Sequence, residues 1–315
     1  MSQIDTVAVL GTGVIGASWS ALFLAAGKQV RAYDPADPDG SRLARYIDNA
    51  WPALEALELT GRGDPSAYSL HATAAEAVSG AQFVQESVPE RLELKHALYA
   101  EIEPALDPEA VVASSASGLL VQEMQQGWQD PSRFILGHPF NPPHLIPLVE
   151  LLANKRTATG VLEIAEAFYA DIGKVTIRVN REVPAHVANR LQAALWREAI
   201  SLVQNGVASV EDVDKAVWAG PGLRWAAMGP HMLFHLGAGP GGMQEFCNRY
   251  RDSFHRWWDD LDEVRLDETL ARELAAGVDE EARQRDTETL SAERDELIVS
   301  FLRGRHAIEQ SRGND

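Results

Sequence analysis

Cysteine is almost absent from this chain. Its 315 residues include one, Cys247, so no disulfide can form within the chain and no cysteine-based metal site can be built. Long apolar runs are missing too. Nothing approaches the roughly 18 residues that a membrane span needs. The N-terminus also lacks a charged start followed by an apolar run, which excludes an ordinary signal peptide. Both absences make a cytoplasmic protein the expectation. Basic residues are in deficit: 28 Lys and Arg stand against 46 Asp and Glu, a formal net charge of −18. The deficit is even along the chain, with 13 basic and 23 acidic residues up to Val183 and 15 and 23 beyond it. Neither half offers a basic stripe for nucleic acid or a polybasic patch for a membrane, so neither partner is expected. There is no internal repeat and no low-complexity linker.

What the chain does contain begins at Val7-Ala-Val-Leu-Gly11-Thr-Gly13-Val14-Ile15-Gly16. Four apolar residues read as a buried strand. Glycines at G-x-G-x-x-G spacing follow, and then an apolar helical run from Ala17 to Ala26. This order builds a pyrophosphate site. Gly11 allows the tight turn, Gly13 lets backbone approach the phosphates, and Gly16 lets helix and strand pack closely, while the helix N-terminus offers free N–H groups, those of Val14 and Ile15 among them. A second strand, Gln29-Val-Arg-Ala-Tyr33, ends at Asp34, about 20 residues past the glycines, where a carboxylate accepts hydrogen bonds from the adenosine ribose. Asp34, with Asp37 and Asp39 close behind, repels a 2′-phosphate, and the nearest arginine, Arg31, lies back on the strand. NAD is therefore the expected dinucleotide.

Up to Val183, strand-like and helix-like segments alternate. Strands read at Ala81–Gln85, Val111–Ser114, Phe134–Gly137, Leu148–Leu152 and Lys174–Val179, with helices at Arg42–Leu57, Leu92–Glu103 and Thr159–Ile172. This predicts an α/β fold: a Rossmann-type, doubly wound, mostly parallel sheet with helices on both faces. After Val183-Pro184 the texture changes to strand-free apolar periodicity, at Ala185–Asn205, Val210–Ala219, Met228–Leu236, Met243–Trp258 and Leu290–Gln310. Two domains are expected, an NAD-binding domain over 1–183 and an all-helical domain over 184–315.

Ligands of open parallel sheets bind beyond the carboxyl ends of the strands. Three polar clusters are placed there: Glu86-Ser87, Ser114-Ser115-Ala116-Ser117-Gly118, and Gly137-His138-Pro139-Phe140-Asn141-Pro142-Pro143. Ser115 is read as a cofactor neighbour. His138 stands at a strand exit between Gly and Pro. Glu150 lies inside the apolar strand Pro147-Leu-Val-Glu-Leu-Leu, where a carboxylate needs a partner. His138 is the candidate, because a buried carboxylate fixes the tautomer of an imidazole and stabilises its charged form.

The GTGVIG start, the Ser117-Gly118 loop, His138-Pro-Phe-Asn-Pro, Pro-Leu-Val-Glu150 and Val187-Ala-Asn189-Arg190-Leu, in this order and spacing, resemble the L-3-hydroxyacyl-CoA dehydrogenase family. The resemblance implies that His138 is the general acid/base and Glu150 its partner. It implies that Ser117 and Asn189 hydrogen-bond the substrate oxygen, that Glu86 and Lys95 lie beside the cofactor, and that the chain forms a homodimer through its helical domain.

Asn49-Ala-Trp51-Pro-Ala-Leu, Gln85-Glu-Ser-Val-Pro-Glu-Arg91, Ala194-Leu-Trp196-Arg-Glu-Ala and Gly222-Leu-Arg224-Trp225-Ala-Ala-Met-Gly229 are similar to the branch of L-carnitine 3-dehydrogenases. The second-domain pattern, with Cys247-Asn-Arg-Tyr250, is also similar to L-gulonate 3-dehydrogenase and its lambda-crystallin relatives. These enzymes oxidise free 3-hydroxy acids. A thioester enzyme would need cations for CoA phosphates, yet between Asp34 and Ser87 there are eight acidic residues against Arg42, Arg45 and Arg62.

The expected activity is NAD-dependent oxidation of a free polar L-3-hydroxy acid, L-carnitine first. L-gulonate and a CoA thioester are the alternatives, and a non-catalytic NAD-binding protein is the reading from another class. Arg224, in a Gly-Pro-Gly-Leu-Arg-Trp turn, is the candidate for the substrate carboxylate, or else a helix-end salt bridge. Trp225, Trp196 and Phe234 either supply aromatic faces for a trimethylammonium group or pack a core. His231 and His235 are four apart on a helix but lack an acidic third ligand, so no metal is expected.

Overall fold

The computed structural model describes residues 4–313. The chain divides into two compact units. One runs to Arg190 and takes in Asp295–Gly304; the other holds Leu191–Arg294 and the chain from Arg305.

The first unit runs β1 (Thr6–Leu10), α1 (Val14–Ala25), β2 (Gln29–Tyr33), α2 (Ser41–Ala56), β3 (Tyr68–Leu70), α3 (Ala74–Val78), β4 (Phe83–Glu86), α4 (Leu92–Ile102), β5 (Val111–Ser114), α5 (Val121–Met124), β6 (Phe134–Pro139), β7 (Leu148–Leu152), α6 (Val161–Asp171) and β8 (Val175–Arg178). The eight strands form one sheet in the order β3-β2-β1-β4-β5-β6-β7-β8. Every pairing is parallel except β6 with β7, which is antiparallel. The expected mostly parallel, doubly wound sheet is what forms. The three-residue edge strand β3, which has no apolar run of its own, was not expected.

Both faces of the sheet are covered, and the period-two rule sorts the side chains. Val7 and Val9 of β1 join α1, α2 and α6 residues in one core, while Ala8 and Leu10 join α3 and α4 residues in the other. In the first core Trp19, Phe23, Phe83, Phe168 and Tyr169 pack ring on ring, with centroids 4.2–5.7 Å apart. Each fully buried side chain of this kind stabilises the fold by about 1.5–3 kcal/mol.

Register places the site. Leu10 pairs with Glu86, and Glu86 with Ser114, so β1, β4 and β5 end at one edge. There the N–H of Ser87 donates to the Leu10 carbonyl and that of Ser115 to the Glu86 carbonyl. Gly11, Ser87 and Ser115 therefore leave the sheet side by side.

The second unit is helical: α7 (Ala188–Gln204), α8 (Val210–Ala219), α9 (Pro221–Ala227), α10 (Pro230–Gly237), α11 (Gly242–Asp260) and α12 (Glu268–Ala282), with α13 (Thr287–Gly313) shared between the units. Helix α12 was not expected. The Arg224-Trp225 turn is instead the short helix α9, entered through Pro221 at its first position, where a missing N–H costs nothing. Among the described residues no helix is long and apolar enough to cross a membrane.

Candidate active site

The three motif glycines do three different things. Gly11 has φ +85°, and a side chain there would meet the Ser87 carbonyl oxygen at 2.8 Å. A Cβ on Gly16 would stand 1.8 Å from the Gly11 carbonyl oxygen, so strand exit and helix are packed as closely as backbone allows. A Cβ on Gly13 would meet nothing within 4 Å. Gly13 is the N-cap of α1, and its side-chain space is open at the helix N-terminus. That is the space and the set of N–H donors a pyrophosphate takes. Val14 beside it is 61% exposed and Ile15 half-buried.

Asp34 is held rather than loose. Its Oδ2 accepts from the N–H and hydroxyl of Thr12 at 2.9 and 3.2 Å, and Oδ1 from the N–H of Ala36 at 2.8 Å. Oδ1 keeps lone-pair capacity for a ribose hydroxyl. Arg31 is committed elsewhere, donating to the carbonyls of Ala77 and Glu76. It is not a free cation for a 2′-phosphate, and the residues present fit NAD.

The β6–β7 pairing brings a histidine and a glutamate together. His138 and Glu150 are direct cross-strand partners, twelve residues apart in sequence. His138 Nδ1 lies 2.8 Å from Glu150 Oε2, and the two side chains are 6% and 0% exposed. Glu150 Oε1 accepts the N–H groups of Val187 and Ala188, both at 2.9 Å. Nδ1–H therefore donates to the carboxylate, and Nε2 is the ring nitrogen left for a ligand. Burial pushes the Glu150 carboxyl up, but the His138 bond and the N–H groups of Ala188 and Val187 outweigh it and hold the group below its ordinary value of 4.5.

Residues 6–183 match the 3-hydroxyacyl-CoA dehydrogenase NAD binding domain, and residues 186–278 match the C-terminal domain of the same enzymes. The chain belongs to the 3-hydroxyacyl-CoA dehydrogenase family. It is an NAD-dependent dehydrogenase. Among its relatives, an L-carnitine dehydrogenase of Streptomyces griseus is 46% identical over 98% of this chain and 92% of its own length. Another of Pseudomonas putida is 38% identical over 99% and 98%. A solved structure, that of 5-formyl-3-hydroxy-2-methylpyridine 4-carboxylic acid 5-dehydrogenase, an NAD+-dependent dismutase, superposes with a TM-score of 0.80 at 28% identity, covering 96% of this chain and 99% of that one.

Against this family background, three residues were not expected from sequence. Thr12, between the first two motif glycines, holds Asp34 through its N–H and its hydroxyl. Glu90 is the second: one of its oxygens accepts the N–H of Ser117, the Ser117 hydroxyl at 3.1 Å and the N–H of Gly118 at 3.0 Å. Desolvation pushes the Glu90 carboxyl up, and the Gly118 and Ser117 donors more than reverse this and lower it. Glu86, expected beside the cofactor, is fully buried in a polar network. Lys95 sits 2.5 Å away, and Tyr99, Ser114 and the Val88 N–H also donate to it. Ser115 Oγ lies 2.9 Å from both Gln85 Nε2 and Ser87 Oγ.

The third is His186, 3% exposed, with its ring centroid 5.3 Å from that of His138. Its Nε2 is 3.4 Å from the Ala116 carbonyl, and its Nδ1 has no hydrogen-bond partner among the described residues. Ala185 and His186 both have left-handed backbone, φ 63° and 51°, a conformation that strains residues other than glycine. No sequence signal marks this turn. It presents the Val187 and Ala188 N–H groups to Glu150, one residue ahead of the half-buried Asn189.

In the helical unit Arg224 and Trp225 are exposed, and among the described residues no ion pair involves Arg224. Phe234 stacks on Phe246 at 4.6 Å, a packing role, whereas Trp196 is 53% exposed. His235 Nδ1 accepts the N–H of Met243.

Proposed function

We propose that this dehydrogenase oxidises a free polar L-3-hydroxy acid, L-carnitine first, with His138 as general base. The observation that carries the chemistry is the buried His138–Glu150 pair, whose second carboxylate oxygen is locked by two backbone N–H groups. With Nδ1–H committed to Glu150, neutral His138 takes the hydroxyl proton at Nε2, and Glu150 stabilises the imidazolium that results. Gly11–Gly16 and Asp34 would hold NAD, which when bound would supply the hydride acceptor. Ser117 and Asn189 polarise the substrate oxygen as carbonyl character develops. For this role the Ser117 hydroxyl turns from Glu90 to the substrate.

Two observations support a free acid over a thioester. Relatives at 38–46% identity over nearly the whole chain are L-carnitine dehydrogenases. The segment from β2 to β4 also has little cationic charge to spare: Arg42 pairs with Asp37 and Arg62 with Asp171. Arg224 holds the substrate carboxylate, with Trp225 beside it as an aromatic face for the trimethylammonium group.

The second copy expected of a homodimer answers a deficit in the helical unit. Between Leu191 and Arg294 the buried apolar side chains are Ile200, Val213 and Leu270, while Trp196, Trp218, Trp257 and Trp258 are 53–65% exposed. A unit that buries so little alone needs another surface. The division at Val183-Pro184 and a cytoplasmic location complete the reading.

The test is NAD reduction with L-carnitine, L-gulonate and L-3-hydroxybutyryl-CoA side by side. L-carnitine turnover is expected. Turnover of the thioester alone overturns the substrate assignment.

A further inference from the structure

The loop that joins the two dyad strands, residues 140–147, contains Pro142, Pro143 and Pro147 and belongs to no strand. Its inward polar groups are met by two side chains from outside it. Ser18 of α1 accepts the N–H of His144 at 2.8 Å and lies 2.8 Å from Nδ1 of the same residue. Lys174, just ahead of β8, brings its Nζ 2.8 Å from the Ile146 carbonyl and into contact with the Pro143 carbonyl. Lys174 is 7% exposed, its Nζ stands 4.8 Å from the Trp19 ring centroid, and among the described residues no carboxylate pairs with it. An apolar side chain would fill this place more cheaply than a buried amine. What the amine supplies is donors to two carbonyls of one loop.

That loop sets the dyad. His138 faces Glu150 only because β6 and β7 pair in one register, and a slip of one residue would send one side chain to the opposite face. We propose that Lys174 is a positioning residue for the reaction: by holding the Pro143 and Ile146 carbonyls it fixes the loop that keeps His138 and Glu150 in register. It touches neither reacting atoms nor the dyad itself.

The surroundings make this hold sensitive to pH. Burial pushes the Lys174 amine down to about 7. The titratable groups near it are His144 of the loop, Tyr46 of α2 edge-on to His144, and Tyr169 of α6, whose carbonyl accepts the Lys174 N–H. The ammonium form offers three donors and is attracted to the Trp19 face, whereas the neutral amine keeps two donors and a lone pair. The loop is held more firmly below that value than above it.

The experiment uses the full chain with Lys174→Met and Lys174→Gln, read by amide hydrogen exchange, NAD affinity and steady-state kinetics. Lys174→Met should speed exchange across residues 140–152 by about tenfold, leave β1 and NAD affinity unchanged, and lower kcat by about tenfold with little change in KM. Lys174→Gln, a neutral donor, should restore part of the protection. Between about pH 6 and about pH 9 the loop of the unaltered chain should loosen beyond the intrinsic rate change, and that of Lys174→Gln should not. Unchanged exchange at 140–152 in Lys174→Met, or an equal rise everywhere, overturns the proposal. If Lys174→Met does not fold, the Lys174→Gln pH response decides alone. The kinetic arm rests on the proposed function and the exchange arm does not, so absence of L-carnitine turnover in the unaltered chain counts against the substrate and leaves the loop test standing.

Discussion

Replacing Glu150 by Gln keeps shape and removes charge, and the geometry says where the damage falls. One carboxylate oxygen accepts two backbone N–H groups at 2.9 Å and the other accepts from His138 at 2.8 Å. A carboxamide has one oxygen and one NH2 for these three donors. Turned to satisfy Val187 and Ala188, it presents NH2 to His138 Nδ1, which must then become an acceptor. Nε2 is left protonated, the wrong tautomer for a base. Turned the other way, two partly buried N–H groups lose their partner, at up to about 1–3 kcal/mol each. The first arrangement costs less, so the variant should fold, bind NAD normally and lose kcat. The lost charge-assisted bond to the imidazolium alone is about 1.5–3 kcal/mol, and with the wrong tautomer the drop should be about 10²–10⁴-fold.

The assay is kcat for L-carnitine from the absorbance of reduced nicotinamide, with NAD affinity by calorimetry. A kcat within about threefold of the unaltered chain would refute the dyad, since such a loss is under 1 kcal/mol. Stability adds an independent check. The Glu150 carboxyl titrates below 4.5 when folded, so in the acid range the unfolded chain binds more protons than the folded one. Its stabilisation is complete above the unfolded value and is lost as pH falls through the folded one. The melting difference between Glu150→Gln and the unaltered chain should therefore shrink on acidification below about pH 4.5.

The remaining predictions rest on separate residues. Gly13→Ala should melt like the unaltered chain but bind NAD weakly, while Gly16→Ala, whose Cβ would collide with the Gly11 carbonyl, should lose several degrees in thermal melting. Equal behaviour of the two would count against the division of labour among the glycines. Asp34→Ser should narrow the preference for NAD over NADP in parallel affinity titrations; an unchanged ratio would remove Asp34 from the ribose. Sedimentation should give twice the 34.4 kDa chain mass, and Trp218→Glu with Trp257→Glu should shift it toward one, whereas a monomeric unaltered chain would overturn the dimer.

Residue types and spacing alone carry much of this protein. A strand ending in G-x-G-x-x-G and a second ending in Asp34 have one stable use, because the turn, the close backbone approach and the helix N-terminus are local properties of a dozen residues. Apolar runs broken at regular intervals likewise set the sheet and the change to helices after Val183, since hydrophobic periodicity is read within each segment. The carboxylate of Glu150 inside an apolar strand announced that a partner was needed. What tertiary structure decided is everything that depends on register between distant segments. Only the antiparallel β6–β7 pairing puts His138 opposite Glu150, and only the left-handed turn at Ala185 and His186 brings two N–H groups to its other oxygen. Nothing in the sequence set Glu90 against the Ser117-Gly118 loop or Lys174 against the Pro143–Ile146 loop. Their partners are mostly backbone groups, which every residue carries and which a sequence therefore does not distinguish.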